Sequence, residues 1–337
     1  MPELNEQTDH FAKNWQQQLA EAFTDIKELC AYLNLSVEQL PVAPEAAKTF
    51  ALKVPRSFAE AIEKGNPDDP LLRQVLPVRD EMRNFPGYTD NPVGDLEAAN
   101  AAGVLHKYRG RVLLINTGSC AINCRYCFRR SFPYADLQLG KEKEIAALRY
   151  IRENPDITEV ILSGGDPLLL SDDRLQRLFR QLAGIAHVKR IRIHSRLPIV
   201  LPARITLGLL DVLSQSAKPV VLVVHCNHPN EITERVSEAC RLLKQKGIVQ
   251  LNQSVLLRGV NDNSFQLAAL SERLFENGVM PYYLHLLDKV SGAGHFEVEE
   301  AEALELIRQM QAALPGYLVP KLVKEIAGAN SKRYVGL

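Results

Sequence analysis

The chain of 337 residues carries 40 lysines and arginines against 40 aspartates and glutamates, so its formal net charge is zero. This balance argues against a nucleic-acid-binding protein that relies on bulk electrostatic attraction, because such a protein carries a basic domain. Hydrophobic residues make up 46% of the chain, and no apolar run approaches the roughly 18 residues of a membrane span, so the composition is that of a globular enzyme and excludes a transmembrane protein.

The beginning of the chain predicts a cytoplasmic protein. Residues 1–24 are polar and acidic, without the basic segment and apolar core of a signal peptide. Six cysteines in a chain of this length are too few for a disulfide scaffold. Their spacing is therefore more informative than their number.

Residues 1–104 are predicted to form a helical, proline-rich segment that wraps over the surface of a second unit. Apolar residues recur at helical spacing between Phe11 and Leu33, and Ser57 is placed to cap a helix that runs to Glu63. Prolines then recur between residues 67 and 93, which disfavours one long element in that stretch.

From residue 111 onward, β-branched runs alternate with amphipathic segments. The predicted strands are Arg111–Thr117, Glu159–Leu162, Arg190–His194, Val220–His225, Val249–Val255 and Met280–Leu286. The predicted helices cover residues 141–153, 172–183, 205–216, 231–246, 264–276 and 297–313. Six strand–helix pairs in series predict an α/β unit over residues 105–337, and their regular repeat favours a partial (β/α)6-type, TIM-like barrel over a doubly wound sheet. Functional residues are then expected at the carboxyl ends of the strands.

Three cysteines, Cys120, Cys124 and Cys127, share the loop that follows the first of these strands. Structural zinc usually takes four ligands, and the chain has no second CxxC pair and no HxxxH pair to complete such a site. Three thiolates can hold a [4Fe–4S] cluster and leave one iron open to another ligand. The spacing favours a cluster, with a zinc site or inert thiols as alternatives. The isolated Cys30, Cys226 and Cys240 are interpreted as buried thiols.

A CxxxCxxC loop after the first strand of a βα repeat resembles the radical S-adenosylmethionine superfamily. In that superfamily the open iron binds S-adenosylmethionine, and one electron from the cluster releases a 5′-deoxyadenosyl radical. Gly164, Gly165 and Asp166, after the second strand, resemble the superfamily's contact to the methionine amino group. Taken alone, such a tract is more often a tight turn.

Five longer stretches resemble the lysine 2,3-aminomutase family in particular: residues 124–130, 162–166, 227–232, 252–262 and 281–283. The resemblance covers about residue 105 to the end. It implies a radical 1,2-amino shift that converts L-lysine to β-lysine with a [4Fe–4S] cluster, S-adenosylmethionine and pyridoxal 5′-phosphate as cofactors. The alternatives are a radical mutase for another cationic amino acid such as arginine, and a non-catalytic iron–sulfur or zinc protein that serves as sensor or scaffold.

Within the family, the length of the chain resembles that of bacterial members that make (R)-β-lysine for the modification of elongation factor P. This resemblance implies a reductant protein and an elongation factor P ligase as partners, and it leaves a homo-oligomer open.

The same resemblance assigns cofactor-binding residues. It makes Lys332 the Schiff-base lysine for pyridoxal phosphate, Arg111 and Lys107 the phosphate-binding pair, and His225 and Gln253 contacts to the adenosyl side. Without the resemblance, a lysine near the carboxyl end of the chain is a solvated side chain. Arg111 and Lys107 are then surface charges, and His225 is a core histidine.

Three further residues are implied in substrate binding. Asp288 and Glu325 correspond to the family acids that hold the distal ammonium of the substrate, and Arg129 to the arginine that pairs with its carboxylate. Alternatively, Asp288 and Glu325 form exposed ion pairs with their neighbouring lysines. The family usually has aspartate where this chain has Glu325, one methylene longer, which leaves both lysine and arginine open as substrates.

Overall fold

The computed structural model describes residues 15–100, 104–133 and 140–336. Among these residues, ten strands form one sheet in which each strand pairs with its neighbours in sequence. The strands are β1 (Ala99–Asn100), β2 (Val104–Tyr108), β3 (Arg111–Thr117), β4 (Glu159–Gly164), β5 (Arg190–Ser195), β6 (Val220–Val224), β7 (Val249–Val255), β8 (Val279–His285), β9 (Lys321–Lys324) and β10 (Arg333–Tyr334).

Strands β3 to β9 are parallel, whereas β1, β2 and β10 add antiparallel edges. The first and last strands do not pair with each other in the described sheet, which is therefore open. This architecture confirms the predicted partial barrel. It contains one parallel strand more than predicted, because β9 follows the last helix without an alternating apolar pattern.

The helices that connect the parallel strands lie close to their predicted bounds. Three of them match the prediction in both ends, because an amphipathic pattern and a cap or turn coincide there. The helices following the N-terminal segment are α6 (Lys141–Glu153), α7 (Asp172–Ala183), α8 (Leu197–Val200), α9 (Leu207–Ser214), α10 (Glu234–Gln245), α11 (Ser264–Glu276) and α12 (Glu300–Ala313).

Alternate residues of the strands face opposite sides of the sheet. Val112 and Leu114 of β3 belong to the same buried cluster as Ala147, Leu148 and Ile151 of α6, so this side of the sheet is the helix-covered side. The residues between them on each strand consequently face the interior of the barrel. This alternation decides which side chains can reach a ligand inside it.

The N-terminal segment packs onto the barrel through a shared apolar core. Leu29, Phe58 and Leu72 lie in the same buried cluster as residues of the parallel strands. Within the described residues, the short helices of this segment are α1 (Trp15–Ala20), α2 (Ile26–Tyr32), α3 (Pro44–Thr49), α4 (Arg56–Ala59) and α5 (Pro70–Arg73). The predicted helical stretch from Phe11 is interrupted after Ala20, and its first four residues lie outside the described residues.

The prediction that Ser57 caps a helix running to Glu63 is wrong. Pro55 is the N-cap residue of α4, which ends at Ala59. The hydroxyl of Ser57 instead donates to the carbonyl oxygen of Val200 at 2.7 Å. The side chain thus ties the N-terminal segment to the barrel, a long-range contact that local sequence does not encode.

No helix in the described part of the chain is long and apolar enough to cross a membrane.

Candidate active site

The cysteine loop begins where β3 ends and is fixed from outside by the N-terminal segment. Lys53 donates from Nζ to the carbonyl oxygen of Cys120 at 2.9 Å. The backbone N–H of Asn123 donates to the carbonyl of Lys53, and that of Arg125 to the carbonyl of Gln74. These contacts hold a segment that lacks regular secondary structure in one conformation.

The donor set of this loop suits a polynuclear cluster. Burial raises the pKa of Cys127 to about 11 and, together with the neighbouring cysteines, raises the pKa of Cys120 well above its usual range. Thiols whose pKa values are raised in this way lose their protons only beside a strongly cationic partner, which iron supplies. Within the described ranges, no three His, Cys, Asp or Glu side chains are arranged to hold one metal ion.

Gly164 and Gly165 let the loop after β4 approach the cysteine loop closely. A Cβ on Gly165 would lie 2.1 Å from the carbonyl oxygen of Ser119, and Gly164 has a φ of +111°. The N–H of Gly165 donates to Thr117 and that of Asp166 to Ser119. Any side chain at residue 165 would therefore push the two loops apart.

The Asp166 carboxylate is occupied by donors of the protein itself. It accepts the hydroxyl of Ser195 at 2.7 Å and the backbone N–H groups of Leu168, Arg196 and Leu197. These bonds fix the loops after β4 and β5 relative to each other. Asp166 is thus a positioning residue in this structure, and its direct contact to a cofactor stays a prediction.

The interior of the barrel carries three imidazoles, at the carboxyl ends of β5, β6 and β8, and the amide of Gln253 on β7. His225 and Gln253 meet with their Nε2 atoms 2.9 Å apart. His194 lies on β5 and His285 on β8, and within the described residues the Nε2 atom of each is buried without a hydrogen-bond partner. Buried polar atoms of this kind are normally paired, so these two are positioned to bind a polar ligand.

These imidazoles are neutral at physiological pH. Burial lowers the pKa of His225 to about 3, and nearby cations including Arg196 and Lys332 add to the effect. The pKa values of His194 and His285 are lowered in the same way. Of these three histidines, only His225 was predicted from the sequence. The alternation of β5 and β8 would have indicated the other two, because both occupy inward positions near the carboxyl end of a strand.

Lys332 and Glu325 form an ion pair in the segment that follows β9. Glu325 also accepts the hydroxyl of Tyr108 at 2.8 Å and lies 3.3 Å from Nζ of Lys107. Burial by itself would raise the pKa of Glu325, but Lys332, Lys107 and Tyr108 lower it to about 2. The contacts to Lys107 and Tyr108, both on β2, bridge the open side of the sheet.

Asp95, which the sequence analysis did not single out, connects the two predicted binding regions. Its carboxylate lies 2.5 Å from Nζ of Lys107 and 2.7 Å from Nε of Arg129, and its side chain is 4% exposed. Asp95 belongs to the N-terminal segment, which therefore contributes directly to the site. Asp95 lies in a loop outside any sequence motif, so the sequence alone does not predict that it holds Lys107 and Arg129.

Asp288 and Arg111 lie beside this network. Asp288 is half-buried in the loop after β8, where Lys332, Glu325 and Lys107 all act on its charge. The Arg111 guanidinium stacks on the ring of Tyr108 at 4.6 Å. The structure thus brings Arg129, Lys107, Glu325, Lys332 and Asp288 into one region, which Arg111, the first residue of β3, reaches through the ring of Tyr108. The cysteine loop and the imidazoles lie at the carboxyl ends of the strands.

The chain is similar in sequence to known proteins. A model of the radical SAM superfamily matches residues 114–270. L-lysine 2,3-aminomutase of Escherichia coli K12 is 51% identical over 95% of this chain and 94% of its own length. The protein of the same name from Haemophilus influenzae is 45% identical over 95% of both chains.

A solved structure supports the fold alone. Streptococcus suis SuiB bound to S-adenosylmethionine superposes with a TM-score of 0.50 at 14% identity, covering 65% of this chain and 51% of that chain.

Proposed function

The chain belongs to the L-lysine 2,3-aminomutase family of radical S-adenosylmethionine enzymes, and we propose that it converts L-lysine to β-lysine by moving the amino group from C2 to C3. Family membership implies a [4Fe–4S] cluster and S-adenosylmethionine. The observation that carries the proposal is the single charged network in which Arg129, Lys332 and Glu325 lie together beside Asp288. Lys332 matches the aldehyde of a pyridoxal cofactor. The two acids match the distal ammonium of a diamino acid, and Arg129 matches its carboxylate.

The residues present fit the cofactors of this family. Cys120, Cys124 and Cys127 would hold the cluster, with the backbone at Gly164 and Gly165 and the side chains of His225 and Gln253 around S-adenosylmethionine. Lys332 would hold pyridoxal phosphate, with Arg111 as a phosphate ligand and Lys107 beside it. When bound, these cofactors supply the carbon radical and the conjugated ring that an amino shift requires.

The side chains of the network divide the recognition of lysine between them. The Arg129 guanidinium can bind the α-carboxylate through its planar fork, and Asp95 holds that guanidinium in place. Asp288 and Glu325 can bind the distal ammonium.

Contacts between sheet edges help to exclude water from the cavity. Lys107 and Tyr108 on β2 reach Glu325 beyond β9, so side chains close the side of the barrel that no hydrogen-bonded strand pair closes. A radical mechanism needs such shielding, because solvent and oxidants would quench the reactive carbon.

Asp288 and Glu325 together favour a substrate with a cationic side chain, since the carboxylate of a glutamate substrate would be repelled by both acids.

An anaerobic assay separates the candidate functions. The protein, with reconstituted cluster, reductant, S-adenosylmethionine and pyridoxal phosphate, is given either lysine or arginine. We expect β-lysine, identified by NMR. Turnover of arginine alone would assign the second candidate. If neither amino acid is converted and S-adenosylmethionine is not cleaved, the result would favour a non-catalytic protein that serves as sensor or scaffold.

We expect kcat/KM for lysine to rise with pH through about 7, the value to which burial and the neighbouring acids raise the pKa of Asp288. The carboxylate that pairs with an ammonium prevails only above this pH, so below it kcat/KM falls by up to about tenfold per pH unit. Asp288→Asn should remove this rise of kcat/KM with pH. It should also lower kcat/KM by about 10- to 100-fold, because one hydrogen bond to a charged group is lost.

The matched control for this variant is Asp262→Asn, which removes a carboxylate paired with Arg258 outside the network. It should leave the profile intact. A pH limb that persists in Asp288→Asn would assign the titration to another group.

Four finer features belong to the same proposal: the product is the R enantiomer, an elongation factor P ligase consumes it, a reductant protein supplies the electron, and the enzyme works in the cytoplasm. Their support is the resemblance within the family. The division of the chain at residue 105 likewise stays a prediction. Mass analysis of elongation factor P from cells lacking this chain tests the link, since the β-lysyl modification should then be absent.

A further inference from the structure

Arg196 lies directly after β5 and reaches the cysteine loop with its guanidinium. Its Nη1 donates to Sγ of Cys124 at 2.7 Å. Its Nη2 donates to Oε1 of Gln74 at 2.7 Å and to Oε2 of Glu231 at 2.9 Å. No sequence motif accompanies Arg196, so its sequence context does not predict this contact.

Besides its hydrogen bonds at Nη1 and Nη2, the guanidinium packs against two aromatic rings, while its Nε has no hydrogen-bond partner among the described residues. The rings of Phe58 and Tyr126 lie 5.4 and 5.7 Å from its central carbon. Its backbone N–H donates to Asp166, and Gln74 bonds Glu231 at 3.0 Å. Arg196 is only 6% exposed, so water does not screen its charge from the sulfur of Cys124.

We propose that Arg196 sets the reduction potential of the cluster through its hydrogen bond to Cys124, and that Glu231 limits how much of the positive charge the cluster experiences. The proposal rests on the assignment of the cluster to Cys120, Cys124 and Cys127. On one-electron reduction the cluster gains one negative charge. A cation that donates to a ligand sulfur stabilises this reduced form more than the oxidised form, and therefore raises the potential.

Removal of the guanidinium should make the cluster harder to reduce. In Arg196→Met the ratio of reduced to oxidised cluster, measured by EPR at a fixed ambient potential, is expected to fall about tenfold, equivalent to about 59 mV for a one-electron couple. Arg196→Lys keeps the charge and should recover part of this loss. Glu231→Gln removes the anion that opposes Arg196, so the ratio of reduced to oxidised cluster should rise in this variant.

Arg204→Met is the matched control. Arg204 is also fully buried, but it donates to Asp172 and to the backbone carbonyls of Leu168 and Leu170. Its removal can lower stability, yet the reduced fraction should stay at the wild-type value.

An unchanged or increased reduced fraction in Arg196→Met with its full iron content would overturn the proposal. If that variant does not retain its iron, Glu231→Gln decides, and an unchanged or decreased reduced fraction there counts against the proposal. A wrong assignment of the cluster to the three cysteines would give a different result: Cys124→Ser would then keep the iron content and EPR signal of the wild type.

Discussion

Lys332→Arg is expected to abolish the aminomutase reaction while leaving the fold intact. The guanidinium can keep the ion pair with Glu325, but it cannot form an imine with an aldehyde at neutral pH. We therefore expect the visible absorption band of lysine-bound pyridoxal phosphate to disappear and the rate to fall by about 10³-fold or more. Spectroscopy of the purified variant and the anaerobic lysine assay check the two effects separately.

Lys324→Arg is the control for this variant. Lys324 lies on β9 only eight positions earlier in the chain and pairs with Glu300 on α12. It should keep both the absorption band and the activity. If Lys332→Arg retained the band, or if borohydride fixed the cofactor to another lysine, the role of Lys332 would be wrong.

Each of the variants Cys120→Ser, Cys124→Ser and Cys127→Ser is expected to lose both the cluster and all activity. Serine is nearly isosteric with cysteine, but its hydroxyl is a poor ligand for iron compared with a thiolate. The wild-type chain should bind about four irons after anaerobic reconstitution, as a [4Fe–4S] cluster requires. Iron analysis and EPR of the reduced proteins provide the measurement.

Cys30→Ala and Cys240→Ala test whether the effect is confined to the loop. Both thiols are buried in the apolar core, so their loss should cost stability and leave the iron content unchanged. Zinc in place of iron in the anaerobically purified wild type would favour the structural alternative for the loop.

The sequence predicted the barrel well because strand and helix signals are local. Arg111–Thr117 and Val249–Val255 have the predicted bounds: the first is an apolar run after Gly110, and the second follows Gly247 and alternates in burial along its length. Strand β9 was missed because it is four residues long and carries a lysine at each end. Strand β2 pairs antiparallel to β3 at the edge of the sheet, and its His and Lys residues hide the pattern.

The positions of the site residues followed from the same logic. Parallel strands place their carboxyl ends at one edge of the sheet, so the cysteine loop, the glycine pair and His225 were expected to meet. Asp95 and Arg196 were not found. Their roles depend on partners 34 and 72 positions away, and a single buried charge in a loop has no periodicity that would reveal such a partner.

Deuterium transfer tests the central claim, that cluster, S-adenosylmethionine and lysine share one cavity at this end of the barrel. The reconstituted enzyme is incubated with L-lysine deuterated at C3, and the adenosyl carbon is analysed by mass spectrometry. We predict deuterium in the 5′-carbon of the adenosyl group together with β-lysine formation, because the adenosyl carbon must approach C3 directly. Formation of β-lysine with no deuterium in the adenosyl group would contradict a shared cavity.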